Sequence, residues 1–122
     1  MAEALIIDDN RSTADALKQM LAVLGLPARV AYGSSPAMSI LSKGFIPKFV
    51  FLDINMPGVD GTEILAYLRR EPQLIPVPVF IVTSDDQPET RHKVMKLGAT
   101  AMIIKPATID VLETALKKAK IL

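Results

Sequence analysis

The acidic and basic residues with the chemistry to act together stand at the ends of short apolar runs. Leu5-Ile6-Ile7 leads into Asp8-Asp9, Phe49-Val50-Phe51-Leu52 into Asp53, and Met102-Ile103-Ile104 into Lys105-Pro106. An unbroken apolar run of this length reads as a strand buried on both faces. Parallel strands in an open α/β sheet aim their carboxyl ends into a shared crevice, where such folds bind ligands. Three carboxylates and an ammonium would meet there. Carboxylates that close repel one another unless a cation joins them, so the pattern points to a site for a hard metal ion and a phosphoryl group.

The elements that must position these residues alternate along the whole chain. Residues 3–8 read as a first strand. Ala14, Leu17, Leu21 and Leu24 then recur at helical spacing up to Gly25, a C′ glycine. Residues 28–32 give a second strand. Ser34-Ser35-Pro36 reads as a cap with proline in the first turn of a helix that runs to Gly44. Residues 48–52 form the third strand, Asn55-Met56-Pro57-Gly58 a loop, and Gly61 to about Arg70 a third helix. Val77–Thr83 is the fourth strand, with regular pairing expected to start late because Pro78 lacks an N–H. Pro88 opens a helix that Gly98 ends, and residues 100–104 are the fifth strand. Ile109, Leu112, Leu116 and Ala119 mark a final amphipathic helix, with Lys117, Lys118 and Lys120 near its C-terminus, where cations suit the dipole. Five βα units predict a parallel sheet with right-handed crossovers and helices on both faces. The expectation is one domain over residues 1–122.

Composition narrows the function. No apolar stretch approaches the roughly 20 residues of a membrane span, and Met1-Ala2-Glu3-Ala4 carries no basic n-region of a secretory signal. The chain has no cysteine, which removes thiolate catalysis, disulfides and cysteine metal sites and agrees with a cytoplasmic location. Fourteen basic and 13 acidic residues give a formal charge of +1, with no basic footprint for nucleic acid. The sole histidine, His92, lies among Arg91, Lys93 and Lys96 on an exposed helix, so neither histidine catalysis nor a zinc site is expected.

The ordered set Ile7-Asp8-Asp9-Asn10, Leu52-Asp53-Ile54-Asn55-Met56-Pro57-Gly58, Asp60-Gly61, Val82-Thr83-Ser84, Gly98-Ala99 and Lys105-Pro106 resembles the CheY-like receiver domains of two-component response regulators. The resemblance covers essentially the full chain. It implies a flavodoxin-like (βα)5 fold with strand order 2-1-3-4-5. It also implies that Asp53 is the phosphoacceptor, taking its phosphoryl group from a histidine kinase or phosphotransfer protein. Asp9 and Asp53 would ligate Mg²⁺ directly, Asp8 through a water, and Asn55 through its backbone carbonyl. Thr83 would hydrogen-bond the phosphoryl group and Lys105 would pair with it. A cis Lys105-Pro106 bond is expected, and only an X–Pro bond makes one cheap. Such a protein catalyses only its own phosphorylation and dephosphorylation, works as a monomer or a phosphorylation-dependent dimer, and signals through its fourth helix, fifth strand and fifth helix.

The chemistry agrees. Mg²⁺ takes one or two carboxylates plus phosphate oxygens, and the attack of a carboxylate on phosphorus depends on positioning and electrostatics. Met102 departs from the pattern, since receivers commonly carry Tyr or Phe three residues before the lysine; a softer switch, or one read through the loop after Thr83, is expected. Ser84 replaces a frequent alanine and should be tolerated. Asn55 and Asp85 flank the expected path of the hydrolytic water, which predicts quick self-dephosphorylation. Taken singly the residues have plainer readings: Asp8-Asp9 as first-turn acids, Asp53 as a solvated loop acid, Lys105 as a surface lysine, Thr83 as packing, the terminal lysines as a solvated face. Asp60-Gly61 and Met56-Pro57-Gly58 read as turn chemistry. Other functions compete: a receiver fragment of a hybrid kinase or longer regulator, or an aspartyl-phosphate phosphatase. Asn55 stands where such a phosphatase needs a second acid. A flavin module would need a Ser/Thr/Gly-rich phosphate loop where Asp8-Asp9-Asn10-Arg11 stands.

Overall fold

The computed structural model describes residues 2–122. The sheet strands are β1 (Ala4–Ile7), β2 (Ala28–Ala31), β3 (Val50–Leu52), β4 (Val79–Thr83) and β5 (Ala101–Ile104). Between them run α1 (Arg11–Val23), α2 (Ser34–Ser42), α3 (Gly61–Arg70), α4 (Pro88–Lys96) and α5 (Ile109–Lys118). All pairings in the five-stranded sheet are parallel and its order is β2-β1-β3-β4-β5, the flavodoxin-like order. The register sets Ile7 beside Leu52, Leu52 beside Ile81 and Thr83 beside Ile104. The residues that follow β1, β3 and β5 therefore leave the sheet at one edge.

Strand side chains alternate between faces, and two cores result. Leu5, Ile7, Val50, Leu52, Val79 and Ile81 pack on the α2, α3 and α4 side, where Val94 and Leu65 meet them. Ile6, Phe49, Phe51, Phe80, Val82 and Ile103 pack on the α1 and α5 side with Leu17, Leu21, Leu112 and Leu116. Phe49, Phe51 and Phe80 form an aromatic cluster on that second face, with Phe51 edge-on to Phe80 at 5.6 Å. This geometry contributes beyond area burial. The strands are apolar throughout because both their faces are covered.

Local signals fix the helix ends. Asn10, Asp60 and Thr108 cap α1, α3 and α5 by accepting from the N–H groups of Thr13, Thr62 and Val111. At Gly25 and Gly98 the chain turns with positive φ, and the following residues, Leu26 and Ala99, return N–H bonds to Leu21 and Val94, the Schellman arrangement. Lys120 takes the same left-handed role after α5 with φ 61°. Two expectations are refined. The residue before α2 is Gly33 (φ 122°), with no serine side chain capping; Ser34 and Pro36 already lie inside the helix. Asn55–Met56 and Val59–Asp60 form a short antiparallel ladder outside the sheet, rather than an irregular loop. The late start of the fourth strand holds: β4 begins at Val79, while the Pro78 carbonyl still accepts from Val50 N–H at 2.9 Å. Lys105-Pro106 is cis. No helix among the described residues is long and apolar enough to cross a membrane.

Asp60 offers a direct test of this local logic. Its Oδ1 accepts from the Thr62 hydroxyl at 2.7 Å and the Thr62 N–H at 2.9 Å, and these bonds hold its carboxyl below the ordinary 3.8. Asp60→Ala should cost about 1 kcal/mol at neutral pH. A lowered folded-state pKa means that the stabilisation is complete above the unfolded value and lost as pH falls through the folded one. The gap between wild type and Asp60→Ala in urea unfolding should therefore narrow below pH 3.8.

Candidate functional site

The carboxyl edge of the sheet gathers the charged residues the sequence singles out. Carboxylate oxygens of Asp8, Asp9 and Asp53 lie within 4.8 Å of one another. Asp8 is 1 % exposed and Asp53 7 %, whereas Asp9 faces solvent. Lys105, leaving β5, reaches across the edge: its Nζ donates to Asp8 Oδ2 at 2.9 Å and to Asp53 Oδ2 at 3.1 Å. The other oxygens of those carboxylates accept backbone bonds. Asp8 Oδ1 takes the Asn10 N–H and Asp53 Oδ1 the Asn55 N–H, each at 3.0 Å. These short Asx turns fix each carboxylate at the exit from its own strand.

Three carboxylates against one ammonium leave two negative charges uncompensated in a partly desolvated pocket. Burial pushes the Asp53 carboxyl up, against the lowering effects of the Asn55 N–H and Lys105, and neighbouring Asp8 raises it further. Burial alone would lower the Lys105 ammonium, yet its bonds to Asp8 and Asp53 prevail and raise it. An isolated ion pair would lower its acid, so the rise at Asp53 reflects lost hydration first and the neighbouring Asp8 second. Lys105 stays charged, and Asp53 takes a proton more readily than a solvated aspartate. Oxygen-only donors, two of them buried, with excess negative charge, fit a hard divalent cation.

Thr83, fully buried at the end of β4, completes the group. Its Oγ1 accepts from the Asp85 N–H at 3.2 Å and from Asn55 Nδ2 at 3.4 Å. A hydroxyl has two acceptor sites and one proton, so the capacity left to Thr83 is donation. Asn55 links the two residues, its side-chain amide donating to Thr83 and its backbone N–H to Asp53. Met102 is partly buried against the α3 and α4 side core. His92 is exposed, away from this group.

Gly61 is a residue whose importance the sequence does not reveal. It pairs its N–H with the Ile54 carbonyl at 3.1 Å. A Cβ there would lie 2.7 Å from the Asp53 carbonyl oxygen and closer still to Ile54 Cα. The start of α3 is pressed against the backbone that carries Asp53, and only glycine permits it. Asp60-Gly61 therefore supports the site as well as making a turn. Asp85 was legible only as a polar residue near Thr83; its bond to Thr90, five positions on, had no signal in the sequence.

Comparison with known proteins agrees with this geometry. The family model described as "Response regulator receiver domain" matches residues 4–117. Chemotaxis protein CheY-3 of Vibrio cholerae is 31 % identical over 93 % of this chain and 88 % of its own length. The sensor histidine kinase RcsC of Salmonella typhimurium is 30 % identical over 92 % of this chain, which corresponds to 12 % of the kinase. Among solved structures, the signal receiver domain of a DNA-binding response regulator from Colwellia psychrerythraea superposes with a TM-score of 0.89 at 27 % identity, covering 100 % of both chains. Chemotaxis protein CheY4 of V. cholerae gives 0.87 at 25 % identity, covering 97 % of this chain and 98 % of its own. The chain belongs to the response regulator receiver domain family, and is a CheY-like receiver of two-component signal transduction. Such receivers occur alone and within hybrid sensor kinases.

Gly61→Ala should shift the Asp53-Ile54 backbone and lower stability by about 2 kcal/mol, the cost of overpacking a tight contact. Denaturant unfolding reads the loss. Backbone chemical shifts of Asp53 and Ile54 read the displacement.

Proposed function

We propose that Asp53 is the phosphoacceptor of this receiver and that Asp8, Asp9 and Asp53, with the backbone carbonyl of Asn55, hold Mg²⁺. The observation that carries this reading is the Lys105 ammonium shared between Asp8 and Asp53 beside the exposed Asp9. An Asp53 carboxylate oxygen forms a bond to phosphorus as the phosphorus–nitrogen bond of a donor phosphohistidine breaks, and the departing imidazole takes a proton from solvent. The donor is a histidine kinase or phosphotransfer protein. Bound Mg²⁺ supplies neutralisation of carboxylate and phosphoryl charge.

The chain's own residues do the rest. Lys105 pairs with the phosphoryl oxygens, and the Thr83 hydroxyl donates its remaining proton to one of them. The Asn55 N–H keeps Asp53 directed outward from β3. The acyl phosphate is labile, so the modification is a timed signal, and a group of nearly two negative charges biases a conformational equilibrium. The chemistry is confined to the protein's own phosphorylation and dephosphorylation. Asn55, an amide, offers no general acid for turnover of external phosphate esters.

Incubation with Mg²⁺ and a small acyl phosphate should add one phosphoryl group, visible by intact mass and removed by hydroxylamine. Asp53→Asn should abolish it, and a modification that survives in Asp53→Asn would overturn the assignment. Mg²⁺ alone should stabilise the wild type by about 2.7 kcal/mol at a hundred times its Kd. Asp9→Asn, at a solvent-facing position, should remove most of that increment, while metal-free stability should hold or rise because one of the crowded carboxylates is neutralised.

A further inference from the structure

The attachment of α4 differs from that of the other helices. Of its residues only Val94 is buried, and its N-cap, Gln87, makes no side-chain cap. Polar contacts do the holding. At the C-terminal end Arg69 Nε donates to the Gly98 carbonyl at 2.8 Å, and the same guanidinium donates to the Val77 carbonyl at 2.9 Å. At the N-terminal end Asp85 ties the N-cap residue to the first turn. Its Oδ1 accepts from the Gln87 N–H at 3.0 Å and its Oδ2 from the Thr90 hydroxyl at 2.7 Å. The Asp85 N–H in turn donates to Thr83 Oγ1 at 3.2 Å.

A continuous chain of hydrogen bonds therefore runs from the site to α4: Asn55 to Thr83, Thr83 to Asp85, Asp85 to Thr90. Beside it lies a cleft of about 610 Å³ lined by Asn55, Asp60, Asp85, Thr90 and Lys93, so the helix has room to shift. We propose that Asp85 and Thr90 are positioning residues that carry the state of the Thr83 hydroxyl to the N-terminal turn of α4. This rests on the reading of Asp53 as phosphoacceptor and names how its state leaves the site.

The physical case is that Thr83 cannot move alone. When its proton is donated to a phosphoryl oxygen, Oγ1 is drawn toward the site, and the Asp85 N–H must follow or lose its acceptor. Asp85 holds both Gln87 and Thr90, so the first turn of α4 feels that displacement. With one buried apolar side chain opposing it, α4 belongs to the readily displaced part of the fold.

The test is amide chemical shifts of the full chain with and without Mg²⁺ and beryllofluoride. In wild type, shifts should change around Asp53 and Lys105 and also over Gln87–Val94. Thr90→Val, which keeps shape and removes the hydroxyl, should retain the changes at Asp53 and Lys105 and lose most of those over Gln87–Val94. Thr90→Ser, which restores the hydroxyl, should recover them. An undiminished α4 response in Thr90→Val, or no α4 response in a wild type that responds at Asp53, overturns the relay. No response anywhere in wild type strikes the phosphoacceptor reading, and the relay falls with it.

Discussion

One ammonium shared by two buried carboxylates organises this protein. Lys105 reaches Asp8 and Asp53 from the far side of both in sequence, 97 and 52 residues away. Removing either partner would leave charge in a poorly solvated place, and truncating a buried ion pair is far more costly than never having built it. β1, β3 and β5 must therefore end at one edge of the sheet. The parallel register supplies this: Ile7 lies beside Leu52, β5 runs two residues further to Ile104 beside Thr83, and the long Lys105 side chain reaches back to both carboxylates. The arrangement remains underneutralised. That is a poor design for stability, and it suits the proposed role of the site, which would take up a divalent ion and then a phosphoryl group.

The sequence carried the strand ends clearly, because fully buried parallel strands are apolar until the residue where the chain leaves the sheet. Asp8, Asp53 and Lys105 each mark that exit. Glycines at helix ends were equally legible at Gly25 and Gly98, since a left-handed turn selects them. The start of α2 was less so: serine and proline are good first-turn residues, and nothing local shows that Gly33 takes the boundary. Gly61 illustrates a different limit. Its φ is unexceptional, so no turn rule selects it, and its reason lies in the tertiary approach of α3 to the Asp53 backbone.

The bond between Thr90 and Asp85 was illegible for a related reason. Side-chain capping is usually sought at the residue before the helix, and here that residue, Gln87, does not supply it. A carboxylate two positions earlier instead holds the Gln87 N–H and the Thr90 hydroxyl, within the turn that also returns an N–H to Thr83. Tying the first turn to a site loop in this way makes the stability of α4's first turn depend on the loop's conformation. A helix held by a broad apolar face would be indifferent to such a change, whereas this one buries Val94 alone.

The two ends of α4 are held by different means, and the contrast decides what can move. Arg69 binds the C-terminal end with several bonds to backbone carbonyls of the α3–β4 connection and Gly98, and a Cβ at Gly98 would press on that same side chain at 3.1 Å. Planar guanidinium bonds to fixed carbonyls form a stiff anchor. The N-terminal end depends on a hydroxyl and on a carboxylate in a solvent-accessible turn, with Lys93 reaching Asp60 only at 3.8 Å. Within the proposed relay, a pull at Thr83 would therefore swing the first turn of α4 about the Arg69 end rather than translate the whole helix.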